Sequence, residues 1–434
     1  MGQYTIYHCH SNRSLLDSCT GYKEYADRVS ELGYKALALT EHGNAYNWVE
    51  KKMYINSKGL KYIHGVECYL TASLGEKVRD NYHTILLAKN YEGVKEINLL
   101  IDKSTQPDHR YYKPRITFEE FFNISDNVIK ISACLASPLN KYPKDVHKQI
   151  AEKSAVLKQE LANKVAELEK QKSDQKAMIK WFKQFDDFEE EELPWVINGC
   201  IPGDSYLHYI EAQIDKLKQY HDNLLEEVQL MNVTARETFY KLLETYDYYE
   251  IQPHDFPEQK RYNEFLYAAS KQTGKPLIAG TDTHSIDYYK AECRSILQKA
   301  KRIEYADEDK FDLTLKTYEE LVEMFRVQNC DIPFDVILQA IENTNVMADS
   351  VTDFKLDTSV KYPKLYDNEE EVLKKRIFDK LHEKIDAGII KKKKIPEYVK
   401  RIKEEMRVFK KINMIGFMLL SLIHISEPTR PEPI

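Results

Sequence analysis

The sequence has little glycine, no paired cysteines and no long apolar run. Only 14 of its 434 residues are glycine, so we expect many helices and few glycine-dependent turns. The seven cysteines are scattered without a CxxC pair, which argues against a disulfide framework and favours a reducing, cytoplasmic location. No segment has the length of a membrane span or the pattern of a signal peptide. These absences argue against a secreted disulfide scaffold and against a membrane protein.

The chain also lacks an excess of positive charge. Its formal net charge is −7, and charged and hydrophobic residues make up 31% and 42% of it, as in a soluble globular protein with room for two or three domains. Binding to a polyanion would therefore depend on a local basic patch, because the overall field is not attractive.

Short apolar or β-branched runs recur through residues 1–285, and helical patterns separate most of them. The seven runs are Tyr4–Tyr7, Ala36–Thr40, Tyr62–Val66, Thr84–Ala88, Val128–Ser132, Tyr246–Tyr249 and Pro276–Gly280. Such alternation predicts an α/β fold in which parallel strands are joined by crossover helices. In a β/α barrel the functional side chains follow the carboxyl ends of the strands.

Metal-binding residue types lie at or just after the ends of six of these runs, whereas His83 opens its own. The first run delivers His8 and His10, which share one face of a strand because side chains alternate there. Alone, this pair also fits two polar histidines at a strand end. The full candidate set is His8, His10, Asp17, His42, Glu67, His83, Cys134, Asp282 and His284. So many ligand types at comparable positions predict a metal site.

Nine ligands exceed the four of one tetrahedral zinc, so we expect two or three divalent ions that share a bridging carboxylate. The thiolate of Cys134 favours zinc, and the other ligands would also accept manganese or iron. Clustered ions suit phosphoester hydrolysis, with a metal-bound hydroxide as nucleophile. No side chain is assigned as general acid.

Residues 145–231 interrupt the strand pattern. A Lys/Glu/Ala-rich stretch is followed by the acidic linker Asp186–Ser205 and then by a seam with alternating spacings of four and three. The seam residues are Ile210, Ile214, Leu217, His221, Leu224, Val228 and Met231. This pattern predicts an inserted antiparallel helical hairpin with His221 in its core. It is either a structural insertion or an arm that binds a partner or clamps DNA.

The sequence pattern of residues 286–420 predicts a mostly helical region with one short strand at 313–315. The predicted helices are Asp287–Arg302, Tyr318–Gln328, Pro333–Ser350 and Glu369–Phe409. The basic run at 391–394 is either a solvated helix end or part of a nucleic-acid face. Residues 421–434 resemble translated adapter sequence and are treated as a non-native tail. We therefore expect the native chain to continue beyond Leu420.

Several motifs resemble the N-terminal part of the bacterial replicative DNA polymerase III alpha subunits. They are HCHSNRSLLD at 8–17, ALALTEHGN at 36–44, IHGVECYL at 63–70, YHTILLAKN at 82–90, YYKPRI at 111–116, ISACLA at 131–136, YYEIQPHDFPEQKRYN at 248–263, IAGTDTHSID at 278–287, LKTYEEL at 315–321 and INMIGFMLL at 412–420. The resemblance covers residues 1–144 and 232–420. It implies a PHP (polymerase and histidinol phosphatase) domain at 1–285, a distorted seven-stranded β/α barrel, followed at 286–420 by the start of the polymerase palm region.

The resemblance also assigns the ligands to three metals and implies a 3′→5′ proofreading exonuclease. His8, His10, Glu67 and Asp282 would hold the first ion, Glu67, His83 and Cys134 the second, and Asp17, His42 and His284 the third. The implied partners are primer–template DNA and other replisome subunits. Lys113 and Arg115 would either contact the DNA backbone or have a structural role.

Two departures from the family pattern concern carboxylates. Glu41 stands where the family has Asp before the ligand His42, a change we expect to be tolerated. The polymerase carboxylates, with their magnesium, are expected beyond Leu420. The DxD formed by Asp307 and Asp309 is therefore interpreted as surface, and this fragment should not polymerise DNA.

Two other functions compete with the exonuclease. One is a free-standing phosphatase of the same superfamily acting on a small phosphate monoester, although such an enzyme has no need of segments 111–116 and 315–420. The other is a structural module in which metals only stabilise the barrel, which retention of all nine ligand types disfavours.

Overall fold

A computed structural model describes residues 2–75, 80–182, 204–303, 311–357, 359 and 364–426. The chain forms two compact units, Met1–Phe354 and Lys355–Ile434. The domain boundary predicted at residue 285 therefore lies inside the first unit. No helix among the described residues is both long and apolar enough to cross a membrane.

The first unit is a mixed α/β structure. Its strands are β1 (Ala36–Leu39), β2 (Lys61–Thr71), β3 (Tyr82–Ala88), β4 (Arg115–Thr117), β5 (Val128–Ile131), β6 (Tyr249–Ile251) and β7 (Leu277–Ala279). Its helices are α1 (Tyr22–Glu31), α2 (Trp48–Ser57), α3 (Tyr91–Ser104), α4 (Phe118–Phe122), α5 (Pro138–Phe182), α6 (Asp204–Thr245), α7 (Pro257–Thr273), α8 (Tyr288–Lys301), α9 (Tyr318–Gln328) and α10 (Phe334–Ser350).

Side-chain caps fix several helix starts. Thr317 accepts a hydrogen bond from the Glu320 backbone N–H, and the Glu320 carboxylate accepts one in return, which forms a capping box at α9. Asp287 caps α8 through the Lys290 backbone N–H at 2.8 Å. These local signals explain why the predicted starts of α8 and α9 agree with the structure to within a residue.

The strands are not all parallel, contrary to the prediction. β1 pairs with β2 in parallel, but β3 runs antiparallel to both of its neighbours, β2 and β5. β4, which the sequence pattern did not predict, pairs in parallel with the end of β2. Only ten residues lie between the end of β2 and the start of β3, and the described ones among them form no helix, which fits an antiparallel pair.

Within the described part of the chain, the regular ladders form a five-stranded sheet and a two-stranded sheet, rather than one seven-stranded sheet. The first predicted strand, Tyr4–Tyr7, makes only a single parallel bridge, from Ile6 to Leu37. The Thr5 backbone N–H instead donates to the hydroxyl of Thr344 on α10. Further single bridges join Cys9 to Thr283 and Ile131 to Tyr248.

Side chains alternate between two buried clusters. In β1, Leu37 and Leu39 face the larger cluster, which includes residues of the surrounding helices. Ala36 and Ala38 face a smaller cluster made by several strands, by Tyr7 and by one end of α10. All four side chains are buried, as expected for a strand covered on both faces.

The inserted helices are longer than predicted, because α5 and α6 extend beyond 145–231 at both ends. They pack antiparallel: Lys153 lies beside Met231, and Lys172 pairs with Glu211 at 2.7 Å. Of the predicted seam, Ile210, Ile214, His221 and Val228 are buried and Leu217, Leu224 and Met231 are partly exposed. Most of the predicted linker, Asp186–Ser205, lies outside the described residues.

The second unit is helical, with α11 (Glu369–Asp386), a 3₁₀ turn (Lys392–Lys394), α12 (Ile395–Lys411) and α13 (Ile415–Ser426). The single helix predicted over 369–409 is thus broken at the exposed basic run. Glu370 pairs with Lys410 at 2.8 Å between α11 and α12. α13 continues through residue 426, past the tail boundary predicted at 421, and residues 427–434 lie outside the described part.

Candidate metal centre

The loops and strand ends at one edge of the first unit bring the nine predicted ligand residues to one place. His8 Nε2 lies 3.1 Å and His10 Nε2 3.3 Å from Asp282 Oδ1, and His10 Nε2 is 3.4 Å from Glu67 Oε2. His83 Nδ1 lies 2.7 Å from Glu67 Oε1. Glu67 is therefore central to this side of the cluster.

A second group gathers around Asp17. His42 Nε2 and His284 Nε2 lie 2.7 and 3.1 Å from Asp17 Oδ2, while His42 Nδ1 is 2.6 Å from Glu67 Oε2. Cys134 is close to His83, with 3.7 Å between its sulfur and Nδ1. His42 thus connects the Asp17 group to the Glu67 group.

The reversed direction of β3 explains why His83 belongs to the cluster. In a parallel strand, the first residue would lie at the opposite edge from the other ligands. Because β3 is antiparallel, its start pairs with the end of β2, with His83 opposite Tyr69. His83 therefore stands at the start of its strand, unlike the other strand-end candidates, because β3 runs antiparallel to β2.

Two ligand candidates sit on or beside unusual backbone. Asp282 has a φ of +46°, and Ala133, which precedes Cys134, has a φ of +59°. Left-handed geometry is uncommon outside glycine and is retained where the surroundings impose it. Here it turns the chain sharply after β7 and after β5, toward the cluster.

Three sets of ligand atoms lie close enough to hold an ion, each within 4.8 Å of one another. The sets are His8, His10 and Glu67; His42, Glu67 and His83; and His10, His42 and His284. The first matches three of the four residues expected for the first metal. The second set shares His42 with the third, and the third shares His10 with the first. The resemblance, in contrast, assigns His10 and His42 to one ion each, so the observed sets differ from that assignment.

Buried atoms without hydrogen-bond partners show that this donor set fits metal ions. They are His8 Nε2, His10 Nε2, His42 Nδ1, both carboxylate oxygens of Glu67 and Asp282 Oδ1. They approach one another closely without hydrogen-bond geometry, and a buried unpaired polar atom is costly. Imidazole nitrogens and carboxylate oxygens are common ligands of zinc, manganese and iron.

The electrostatics of the cluster favour cations. Although burial opposes ionisation, the neighbouring histidines hold the pKa of Asp17, Glu67 and Asp282 well below the ordinary carboxyl range. Conversely, although burial opposes its charge, the carboxylates of Glu67 and Asp17 raise the pKa of His42 to about 10. A set of buried carboxylates that stabilises imidazolium will also stabilise a divalent cation.

Supporting residues that were not predicted as part of the site hold the ligands in place. His8 Nδ1 contacts Glu250 Oε1 at 2.7 Å, which orients the ring with Nε2 toward the cluster. Arg294 donates to Asp17 Oδ1 at 2.5 Å and to the Asp17 carbonyl at 2.6 Å. The sequence pattern showed Glu250 at a strand end, whereas nothing local pointed to Arg294.

Glu41, which stands where the family pattern has Asp, also supports the site. It is buried, pairs with Lys51 at 2.6 Å, and accepts hydrogen bonds from the hydroxyls of Ser11 and Ser14. The Ser14 hydroxyl in turn lies 3.1 Å from His10 Nδ1. Glu41 therefore connects a buried lysine to the loop that carries His10.

The two residues predicted to contact DNA have different environments. Lys113 is exposed, and its Nζ lies 5.1 Å from the Tyr69 ring centroid, next to the cluster. Arg115 is buried and pairs with Asp80 at 3.1 Å, which favours its alternative, structural role. Asp307 and Asp309 lie outside the described residues.

Comparison with known proteins shows similarity to one domain family and to one group of relatives. A model of the PHP domain matches residues 7–179. DNA polymerase III alpha subunits of Chlamydia pneumoniae and Aquifex aeolicus are 26% and 23% identical over 83% and 95% of this chain. That of Treponema pallidum is 33% identical over 30% of the chain. The chain spans only 25%, 30% and 12% of these relatives' lengths.

The family model and the near-complete coverage of the chain by one group of relatives agree with each other. The chain is therefore similar to bacterial DNA polymerase III alpha subunits along most of its length, and its residues 7–179 match the PHP domain.

Proposed function

We propose that residues 1–285 form a metal-dependent phosphodiesterase that removes nucleotides from the 3′ end of DNA, as a proofreading exonuclease. The observation that carries this proposal is the buried cluster around Glu67, whose polar atoms lack hydrogen-bond partners and converge. Hydrolysis of a phosphodiester benefits from several cations held at one point.

The proposed site is trinuclear. His8, His10, Glu67 and Asp282 would hold the first ion; Glu67, His83 and Cys134 the second; Asp17, His42 and His284 the third. Zinc is the favoured metal because of the Cys134 thiolate, with manganese or iron as alternatives. When bound, such ions activate water for attack and neutralise phosphate charge.

The protein's own residues position this machinery. Glu250 also accepts hydrogen bonds from Tyr7 and Gln252, so the carboxylate that orients His8 is itself held in place. Arg294 fixes the side of Asp17 that faces away from the histidines. Lys113, exposed beside Tyr69, is the proposed contact to a DNA phosphate.

We further infer that the first unit is a closed, distorted seven-stranded barrel. Single bridges support closure: the N-terminal segment bridges β1 at Ile6 and the segment after β7 at Cys9, and Ile131 bridges to Tyr248 just before β6. The enclosed cluster of small and branched side chains is the packing expected inside a barrel.

The parent protein is proposed to carry out template-directed DNA synthesis in the cytoplasm, bound to primer–template DNA and other replisome subunits. Residues 286–420 would then begin the palm region, with the catalytic carboxylates and their magnesium beyond Leu420. The printed name of the relatives supports this proposal.

The test is a nuclease assay with a 5′-labelled, 3′-mismatched primer–template and zinc or manganese. We expect a single-nucleotide ladder that shortens from the 3′ end and disappears with EDTA and in His10→Ala. The matched control is His147→Ala, an exposed histidine on α5, which should remain active. Absence of cleavage with either metal would refute exonuclease activity in this chain and leave a structural metal barrel.

A further inference from the structure

The loops that carry the metal ligands expose large apolar side chains. Leu15 is 79% exposed and Leu16 40%, between the ligands His10 and Asp17, and Tyr46 is 60% exposed. Leu16 also has a φ of +67°, which is rare for a bulky residue. Exposed apolar groups concentrated beside a polar site are typical of a binding surface.

Tyr46 is connected to the metal centre through a short polar chain. The Asn44 side-chain amide donates to the carbonyls of His42 and Arg13, and its oxygen accepts from the Tyr46 backbone N–H. The Arg13 guanidinium lies 4.9 Å from the Tyr46 ring centroid. An exposed aromatic ring and a cation are therefore held together four residues from a ligand.

A second aromatic and cationic segment lies against the same turn. A Cβ at Gly43 would be 2.6 Å from Pro114, which shows how closely the two loops approach. Tyr112, 63% exposed, and Lys113 directly precede Pro114. The Tyr69 ring beneath Lys113 stacks on His42 with 5.9 Å between ring centroids. Both segments thus border the His42 side of the centre.

This combination has a chemical meaning. Aromatic faces stack on unpaired bases regardless of sequence, and nearby cations contact the phosphates between those bases. Paired bases have their faces covered, whereas a terminal unpaired nucleotide presents one. A small phosphate monoester would have no use for exposed Leu and Tyr side chains around the opening.

We propose that Arg13, Leu15, Tyr46, Tyr112 and Lys113 form a rim that binds the unpaired terminal nucleotide of a DNA strand. The base stacks on Tyr46, and Arg13 and Lys113 contact the adjoining phosphates. This inference rests on the proposed function, because it supplies the substrate to the same metal centre. It makes unpairing of the end, and not the identity of the base, the basis of selection.

Binding is measured by fluorescence anisotropy on the metal-loaded full chain, with a labelled single-stranded oligonucleotide whose last linkage is a phosphorothioate to slow hydrolysis. A second probe ends in an abasic residue, and a third is a blunt duplex. The variants are Tyr46→Ala, Tyr46→Trp and, as a matched control, Tyr240→Ala, a tyrosine of α6 that is 46% exposed.

Tyr46→Ala should weaken binding of the base-bearing single strand about 5- to 150-fold, the effect of losing one stacked base. It should leave the abasic and duplex probes within about twofold, and Tyr46→Trp should restore affinity. Equal losses on all three probes, or no loss on the base-bearing single strand, would overturn the inference.

The outcome is separable from that of the proposed function. Cleavage of bis(p-nitrophenyl) phosphate by the wild-type chain reports the phosphodiesterase chemistry directly. If that cleavage occurs but Tyr46→Ala binds single strands normally, the rim is wrong and the enzyme stands. If stacking is found without any hydrolysis, the rim stands and the enzyme is wrong.

Discussion

Replacing Glu41 with Gln tests whether a buried ion pair supports the metal centre. The Glu41 and Lys51 side chains are 0% and 2% exposed and lie 2.6 Å apart. Although burial opposes its ionisation, Lys51 and the Ser11 hydroxyl lower the pKa of Glu41, so the carboxylate is charged in the folded protein. The Gln variant would leave the lysine charge buried without a counter-charge.

Removing one partner of a buried pair costs about 3–5 kcal/mol of unfolding free energy. We expect that loss in Glu41→Gln and a similar one in Lys51→Met, measured by urea unfolding followed by circular dichroism. The double variant should recover at least about 2 kcal/mol relative to the sum of the single variants, because neither charge remains. Glu50→Gln, an exposed glutamate on α2, should change stability by less than about 0.5 kcal/mol.

A second measurement connects the pair to the site. Glu41 holds Ser14, which contacts His10, so Glu41→Gln should weaken zinc binding about 10- to 100-fold in competition with a chromophoric chelator. Single variants that cost less than about 1 kcal/mol, or that bind zinc like the wild type, would refute the role assigned to this pair.

Three further outcomes follow from individual contacts. Arg294→Met should weaken zinc binding about 10- to 100-fold, since it frees the carboxylate that the guanidinium holds; an unchanged chelator titration would contradict this. Gly280→Ala should cost about 1–3 kcal/mol in urea unfolding, because its Cβ would be 2.3 Å from the Glu250 carboxyl carbon, whereas Gly75→Ala, with its nearest atom at 3.6 Å, should be tolerated. Burial lowers the pKa of His64 to about 4, so the unfolded chain takes up the proton first on acidification. As the pH falls from about 6.5 to 4, the contribution of His64 to the unfolding free energy should decrease by up to about 1.4 kcal/mol per pH unit, and His64→Gln should remove that contribution from the measured slope.

Local patterns were sufficient for much of the secondary structure. Helix α9 was predicted at its observed bounds, because a capping box and an amphipathic pattern are both local signals. Strand direction was mispredicted, since alternation of strands and helices carries no information about a direct return such as that from β2 to β3. β4 has only three residues, too few to show a periodic pattern.

Residue types near the predicted strand ends suggested the nine candidate ligands, and the structure places their side chains near one another. That these residues bind metal stays a prediction. Contacts between distant segments were not readable from the sequence. Arg294 reaches Asp17 across 277 positions, and His83 joins the cluster through the pairing of β3 with β2. Such pairings depend on how the whole sheet packs, so the candidate ligands can be read from the sequence but their supports and shared geometry require the tertiary structure.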